Sequence, residues 1–137
     1  MKITTLLLLV CILIGCDHRD QQDTINDLNG YWQIKKAVMP DGSVKQFAPG
    51  QIIDYIKISE RKGIRKKLRL EFDGEFRSSH EQESFVVRPE NDTLRIFYTT
   101  RFDTRKETLI SVDKEQLITR GETGIRFVYQ KYHPNTD

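Results

Sequence analysis

Six basic side chains are concentrated in one short segment of this 137-residue chain. They fall within nine positions, at Arg61, Lys62, Arg65, Lys66, Lys67 and Arg69. A cationic hairpin of this kind could contact anionic lipid headgroups or an acidic glycan, because positive charges are attracted to an anionic surface. A solvated strand face, with its charges paired to acidic residues on neighbouring strands, would show the same pattern. We prefer this second, simpler interpretation.

A single carboxylate interrupts an apolar stretch, where Asp54 stands between Ile52 and Ile56. If that face of the strand points inward, the carboxylate must be paired or its pKa must rise, and it would mark a binding site. The alternative is that the strand begins near Asp54 and that the carboxylate stays in solvent at the rim. We prefer the rim position.

The sequence lacks the spacings and motifs of common catalytic and metal sites. His18, His80 and His133 lack the i,i+2 or i,i+4 spacing of a preformed zinc site, and no Gly-rich phosphate loop or Gly-x-Ser-x-Gly elbow occurs. A hydrolase would need Asp54, Glu81, Glu83 and His80 or a serine to converge in one cleft. We therefore expect no catalytic residue, no metal and no cofactor, and a protein that is not an enzyme.

Charge and composition limit the partners of the chain. The formal net charge is only +2, although 31% of the residues are charged, so no global field attracts a polyanion. Aromatic residues are sparse among the clustered basic residues, whereas single-stranded nucleic acid needs rings on which its bases can stack. Nucleic acid is therefore not an expected partner.

The amino terminus has the parts of an export signal. Lys2 precedes an apolar run that ends at Ile14 and is too short to cross about 30 Å of hydrocarbon. Leu13-Ile14-Gly15-Cys16 resembles the bacterial lipobox, in which cleavage before the cysteine accompanies acylation of its sulfur. The resemblance implies a signal peptide over residues 1–15, a lipid on Cys16, and a membrane-anchored protein of the cell envelope, with the outer membrane favoured over the inner. The alternative is a buried terminal strand or helix that happens to end in Gly-Cys.

The segment after Cys16 is polar. Residues 17–27 contain one apolar position, which predicts a flexible tether over residues 16–27, between the membrane and a folded domain over residues 28–133. Residues 24–29 could start a short helix with Thr24 as its N-cap. Thr24 and Thr93 stand in Asp-Thr-apolar triplets that resemble an O-glycosylation signal of Bacteroidetes-type exported proteins.

The remaining chain alternates apolar and polar residues instead of following a helical period. Turn-forming clusters recur about every ten residues, as in antiparallel strands joined by tight hairpins. We therefore predict an all-β fold, an up-and-down antiparallel meander of eight to ten strands that closes into a β-barrel and so removes its edges. The predicted inward side chains are Trp32, Ile34, Ile56, Ile58, Leu68, Leu70, Phe72, Leu94, Ile96, Tyr98, Phe127 and Tyr129.

Two stretches of this pattern resemble a known family. Gly30-Tyr31-Trp32 resembles the Gly-x-Trp opening of lipocalins, and residues 109–132 look like the closing hairpin of small lipocalin-like lipoproteins of Bacteroidetes-type bacteria. The resemblance spans about residues 28–132 and implies a lipocalin-like barrel with Trp32 closing one end. It also implies a basic residue packed over Trp32, for which Arg126 is the first candidate and Lys131 the second.

A lipocalin-like barrel implies a binding protein. We expect a small hydrophobic ligand inside it, contacted by Trp32, Ile56, Leu70, Ile96, Tyr98 and Phe127. The alternative is a solidly packed interaction or inhibitor module that binds an envelope protein or glycan through its surface. An internal cavity of a few hundred Å³ would favour the first of these.

Overall fold

The computed structural model describes residues 19–50 and 52–135, without the side chains of residues 79–81. The predicted signal peptide, Cys16 and His18 lie outside the described residues. Within the described residues, one helix and nine strands follow one another. They are α1 (Gln21–Asn26), β1 (Gly30–Val38), β2 (Val44–Gln46), β3 (Ile52–Ser59), β4 (Lys62–Leu70), β5 (Phe76–Glu90), β6 (Thr93–Thr99), β7 (Thr104–Val112), β8 (Gln116–Gly121) and β9 (Arg126–Tyr132).

The strands form one antiparallel sheet that closes on itself. From β3 to β9 each strand pairs with the next in the chain, and β9 returns to β1 from Tyr31↔Tyr132 to Val38↔Arg126. The other edge of β1 is shared, since its first residues pair with β3 and its last residues pair with the short β2. Eight long strands therefore form the barrel and β2 adds to its edge, which confirms the predicted up-and-down meander and its closure.

The helix covers the end of the barrel at which β1 begins, which we name the closed end. Asp20 is the N-cap of α1, and its side chain accepts a hydrogen bond from the backbone N–H of Gln22. Ile25 and Leu28 are both 0% exposed and belong to the main core. The described part of the segment predicted as a tether is therefore structured, and the prediction is wrong there. Burial of Ile25 and Leu28 outweighs the polar composition around them. Thr24 lies inside the helix and is not its cap.

The core fills the closed end and the middle of the barrel. Six of the predicted inward side chains are buried in it and three more pack against its edge. The six are Trp32, Ile56, Ile58, Ile96, Tyr98 and Tyr129, and the three are Ile34, Leu94 and Phe127.

The inward assignment is wrong for the end of β4. Leu68 lies opposite Ile53, on the face of β3 that points away from Asp54 and Ile56, so Leu68 and Leu70 are on the outer face. Phe72 lies in the β4–β5 turn and is 99% exposed. Alternation predicts that these three residues share a face, but it does not determine which face is the inner one.

Candidate functional site

The closed end is sealed around Trp32. Its indole Nε1 donates a hydrogen bond to the Leu28 carbonyl at 2.8 Å, and the Lys131 ammonium lies 4.0 Å from the centroid of the ring. Lys131 also donates to the Asn29 carbonyl at 2.6 Å. A cation above the indole face is therefore present, but it is the second candidate that supplies it.

Arg126 is too far away for this contact. Arg126 begins β9 at the opposite, open end of the barrel, where it pairs with Val38. It is five residues from Lys131, which is about 17 Å at the usual rise of a strand. Its side chain is exposed on the outer wall. The prediction that Arg126 stacks on Trp32 is wrong, because β9 runs from the open to the closed end.

A cavity of about 280 Å³ lies toward the open end, above the core. Part of its wall is apolar and comes from Ile34, Ile52 and Phe127. The rest is largely ionic, with three acidic and three basic residues. They are Asp54, Glu83, Glu107, Arg65, Lys67 and Arg105.

Arg65 is at the centre of this charged wall and is only 7% exposed. Its guanidinium donates to Asp54 Oδ2 at 2.8 Å, to the Tyr98 hydroxyl at 2.9 Å and to the Tyr129 hydroxyl at 3.0 Å. Each of these three acceptors comes from a different strand, β3, β6 or β9. Arg65 therefore joins strands from opposite parts of the barrel wall.

The protonation states follow from burial and from these neighbours. Burial alone would raise the pKa of Asp54, but the charges and hydrogen bonds of Arg65 and Lys67 outweigh it and hold the pKa below its usual value. Burial raises the pKa values of Tyr98 and Tyr129. At neutral pH the cluster therefore contains a carboxylate, a guanidinium and two neutral phenols.

A second ion cluster lies beside the first. Arg105 donates to Glu83 Oε2 at 2.6 Å and to Glu107 Oε1, and its guanidinium lies 3.9 Å from the Tyr98 ring centroid. The other oxygen, Glu107 Oε2, is buried and has no hydrogen-bond partner among the described residues. Arg65 Nη1 lies 3.8 Å from it, which is beyond hydrogen-bond distance.

The six residues of the predicted basic surface are divided among four places. Arg65 and Lys67 line the cavity, while Arg61 donates to Gln21 at the closed end. Lys62 and Lys66 alternate with Gly63 and Arg65 and so point away from the interior. Arg69 is exposed near the end of β4. A single cationic surface over these six residues is therefore wrong, since Arg65 is inside the barrel and strand alternation separates the others.

Asp54 occupies the position that we considered less favourable. It faces the interior and is paired to Arg65, so the prediction of a solvated carboxylate at the rim is wrong. Arg105 and Glu107 were not singled out by sequence analysis, because charged residues two apart look like a solvent-facing strand. The usable signal was Leu109, whose inward position places Glu107 and Arg105 on the same face.

The interior residues predicted to contact a ligand occupy different depths. Phe127 lines the cavity, whereas Trp32, Ile56, Ile96 and Tyr98 belong to the packed core. Leu70, on the outer face, is not in the interior at all. Within residues 19–50 and 52–135, no group of three or more residues is suited to hold a metal ion, and no helix is long and apolar enough to span a membrane.

Comparisons with known proteins concern the fold. No protein-family model and no curated protein matches the chain. A lipocalin-like protein from Bacteroides uniformis is 12% identical and matches 77% of this chain and 99% of its own with a TM-score of 0.48. An uncharacterized protein from Bacteroides eggerthii is 14% identical over 77% of this chain and 99% of its own, with a TM-score of 0.49. Lobster apocrustacyanin A1 is 13% identical over 85% of this chain and 67% of its own, with a TM-score of 0.47. The up-and-down closed barrel of this chain is established by its own strand order and closure.

Proposed function

We propose that the barrel binds one small amphipathic molecule in its ionic cavity, as a binding protein and not as an enzyme. The observation that supports this most is Glu107 Oε2, a buried carboxylate oxygen in the cavity wall with no hydrogen-bond partner among the described residues. Buried polar atoms are rarely left without a partner in native proteins, and such exceptions occur at functional sites.

The cavity restricts the size and chemistry of the ligand. Its volume of about 280 Å³ is at the lower edge of the usual range for ligand pockets, so the molecule is small. Ile34, Ile52 and Phe127 offer contact to an apolar part, while Glu107 Oε2 requires a group that donates a hydrogen bond. A purely hydrophobic ligand fits less well, because it would leave charged groups without water or a partner.

The location of the protein is part of the same proposal. The lipobox-like Cys16 would carry a lipid anchor after removal of residues 1–15, and the protein would face the aqueous side of a bacterial envelope membrane. Arg19 lies three residues after Cys16 and donates a hydrogen bond to the Val112 carbonyl at the closed end. Arg19 thus attaches the segment that follows the proposed anchor to the closed end of the barrel. Metabolic labelling with palmitate should mark the full chain and not a Cys16→Ser variant.

Three probes with one alkyl chain and different head groups test the ligand class. Octylamine and octanol donate hydrogen bonds, whereas octanoate at pH 7 only accepts them, so calorimetric titration should show binding of the first two and not of the third. Glu107→Gln keeps the side-chain size and removes its charge. It should weaken octylamine binding about tenfold and octanol binding much less.

Two isoleucines provide a matched pair for the apolar wall. Ile52 is 44% exposed and lines the cavity, and Ile110 is 37% exposed elsewhere on the barrel. Ile52→Ser should weaken binding of both probes, while Ile110→Ser should leave it unchanged. Equal effects of the two substitutions, or binding of octanoate alone, would refute the proposed site.

A surface interaction module remains the second candidate, and one observation favours it. Phe72 and Phe102 are 99% and 92% exposed, and both stand on turns at the open end of the barrel. Side chains of this kind are common at protein interfaces. In this case the protein purified without detergent should contain no small molecule by native mass spectrometry and should bind none of the three probes.

A further inference from the structure

Four arginines lie in one row that crosses five neighbouring strands. Arg88 of β5 is directly opposite Arg95 of β6, which is opposite Thr108 of β7. Thr108 is in turn opposite Arg120 of β8, which is opposite Arg126 of β9. We name Arg88, Arg95, Arg120 and Arg126 the arginine row. Residues directly opposite each other share a face of the sheet, and the flanking Val87, Ile96 and Phe127 pack inward, so the row is on the outer wall.

Stability does not explain this arrangement. Like charges directly opposite each other on neighbouring strands destabilise a sheet, and the row contains two such pairs, Arg88↔Arg95 and Arg120↔Arg126. Lys106 adds a fifth cation to the same outer wall, and Glu90 pairs with Lys106 at 3.5 Å. The whole chain has a formal net charge of only +2, so this group of cations is a local feature of the outer wall and does not follow from the overall charge.

An open groove of about 350 Å³ follows part of the row. Arg95, Lys106, Thr108 and Arg120 line it, and the turn after β8 adds Glu122. Arg95 Nε is buried there without a hydrogen-bond partner among the described residues. Its distance to Glu90 Oε1 is 3.9 Å, which is too long for a hydrogen bond. Arg95 Nη1 donates to Thr108 Oγ1, so the guanidinium is held at the groove while its Nε lacks an acceptor among the described residues.

We propose that the arginine row binds a linear acidic polysaccharide along the outer wall of the barrel. The row extends over five of the eight barrel strands, which are about 4.8 Å apart, so it follows a convex curve. A flat membrane would touch only a few of these strands, whereas a flexible chain can follow the curve and meet every arginine. Phe97, 4.2 Å below the Arg88 guanidinium, is the one ring stacked on the row among the described residues, and this favours a polysaccharide over single-stranded nucleic acid.

This inference is independent of the cavity, because the arginine row is on the outside of the sheet and the cavity is on the inside. The two sites do not share an arginine, and each test leaves the other site intact.

A labelled heparin dodecasaccharide is a suitable probe, with binding followed by fluorescence anisotropy at low salt. Arg120→Gln with Arg126→Gln removes two exposed charges of the row, and should weaken binding about tenfold. Lys57→Gln with Lys62→Gln removes two exposed charges from the outer face of β3 and β4, and should leave binding nearly unchanged. Binding by the wild type should weaken as sodium chloride is added, because salt screens the contacts.

Thermal unfolding separates binding from folding. The Arg120→Gln and Arg126→Gln variant relieves a repulsion, so its Tm should equal or exceed that of the wild type. A lower Tm would mean that the row has a structural role and would contradict the inference. Equal loss of binding in the β3–β4 control, or no binding at low salt, would also overturn it. A labelled dT12 oligonucleotide and phosphatidylglycerol vesicles should bind more weakly than heparin. If either binds through the row as tightly as heparin, the polysaccharide is not the specific partner and the inference is overturned.

Discussion

Arg65 joins three of the strands that surround the charged interior. Its guanidinium holds Asp54, Tyr98 and Tyr129, so its loss would leave a buried carboxylate with Lys67 at 3.4 Å as its remaining cation. Removing one partner of a buried ion pair costs about 3–5 kcal/mol. We expect Arg65→Leu to lower the free energy of unfolding by this order, as measured by urea denaturation at pH 7.

The matched control removes both charges. Arg65→Leu together with Asp54→Leu leaves no uncompensated carboxylate, so most of the lost stability should return. If Arg65→Leu alone is as stable as the wild type, the buried ion pair does not exist as described.

Asp54 also makes the stability of the barrel depend on pH. Its pKa is below the ordinary value in the folded chain, despite burial, because of Arg65 and Lys67. The folded state therefore binds this proton less readily than the unfolded state, and the stabilisation is present above about pH 4 and is lost as the pH falls through the lowered pKa. Between pH 7 and acid conditions, urea denaturation should show a larger loss of stability for the wild type than for Asp54→Asn. Parallel losses would refute the lowered pKa.

Part of this cluster could be predicted from the sequence. Alternation between Ile52 and Ile56 indicated that Asp54 was either buried and paired or at a rim. The choice depends on Arg65, which reaches Asp54 diagonally from the next strand. The register between two strands is not visible in either strand alone. Arg65 was therefore placed among surface charges, although it is the partner that decides the question.

At the scale of elements, α1 is part of the folded domain. Ile25 is fully buried in the main core, and truncating a buried isoleucine to alanine costs about 2–5 kcal/mol. We expect Ile25→Ala to lower the free energy of unfolding by this order, while Gln21→Ala on the exposed side of the helix changes it by less than about 0.5 kcal/mol. A flexible tether over these residues would instead predict no effect of either substitution.

Strand number and order were predictable because period-two patterns and turn clusters are local signals. The orientation of β4 was not. Leu68 and Leu70 suggested an inner face, but Arg65 and Lys67 occupy it, because their charges find partners in the cavity. Hydrophobic residues mark the inner face only where the interior is apolar, and this barrel is apolar at its closed end and ionic toward its open end.

In the whole molecule, the two sides of the barrel wall differ in how their charges are paired. Cations inside it are matched by carboxylates, whereas the arginines on the outer wall of β5–β9 stand opposite one another. The four arginines of the row are far apart in the sequence and acquire a common face only through the pairing of five strands. No local pattern indicates them, and this explains why sequence analysis pointed to the basic run near β4 instead.

The central claim is that a small molecule with a hydrogen-bond donor enters the ionic cavity of the barrel. Its most direct test is a two-dimensional NMR titration of the isotope-labelled protein with octylamine. Chemical shifts should change for Phe127, Tyr129 and the Arg65 side chain, which line the cavity, and stay constant for Trp32 at the closed end. Unchanged cavity resonances at saturating octylamine, or shifts confined to the outer wall, would contradict the claim.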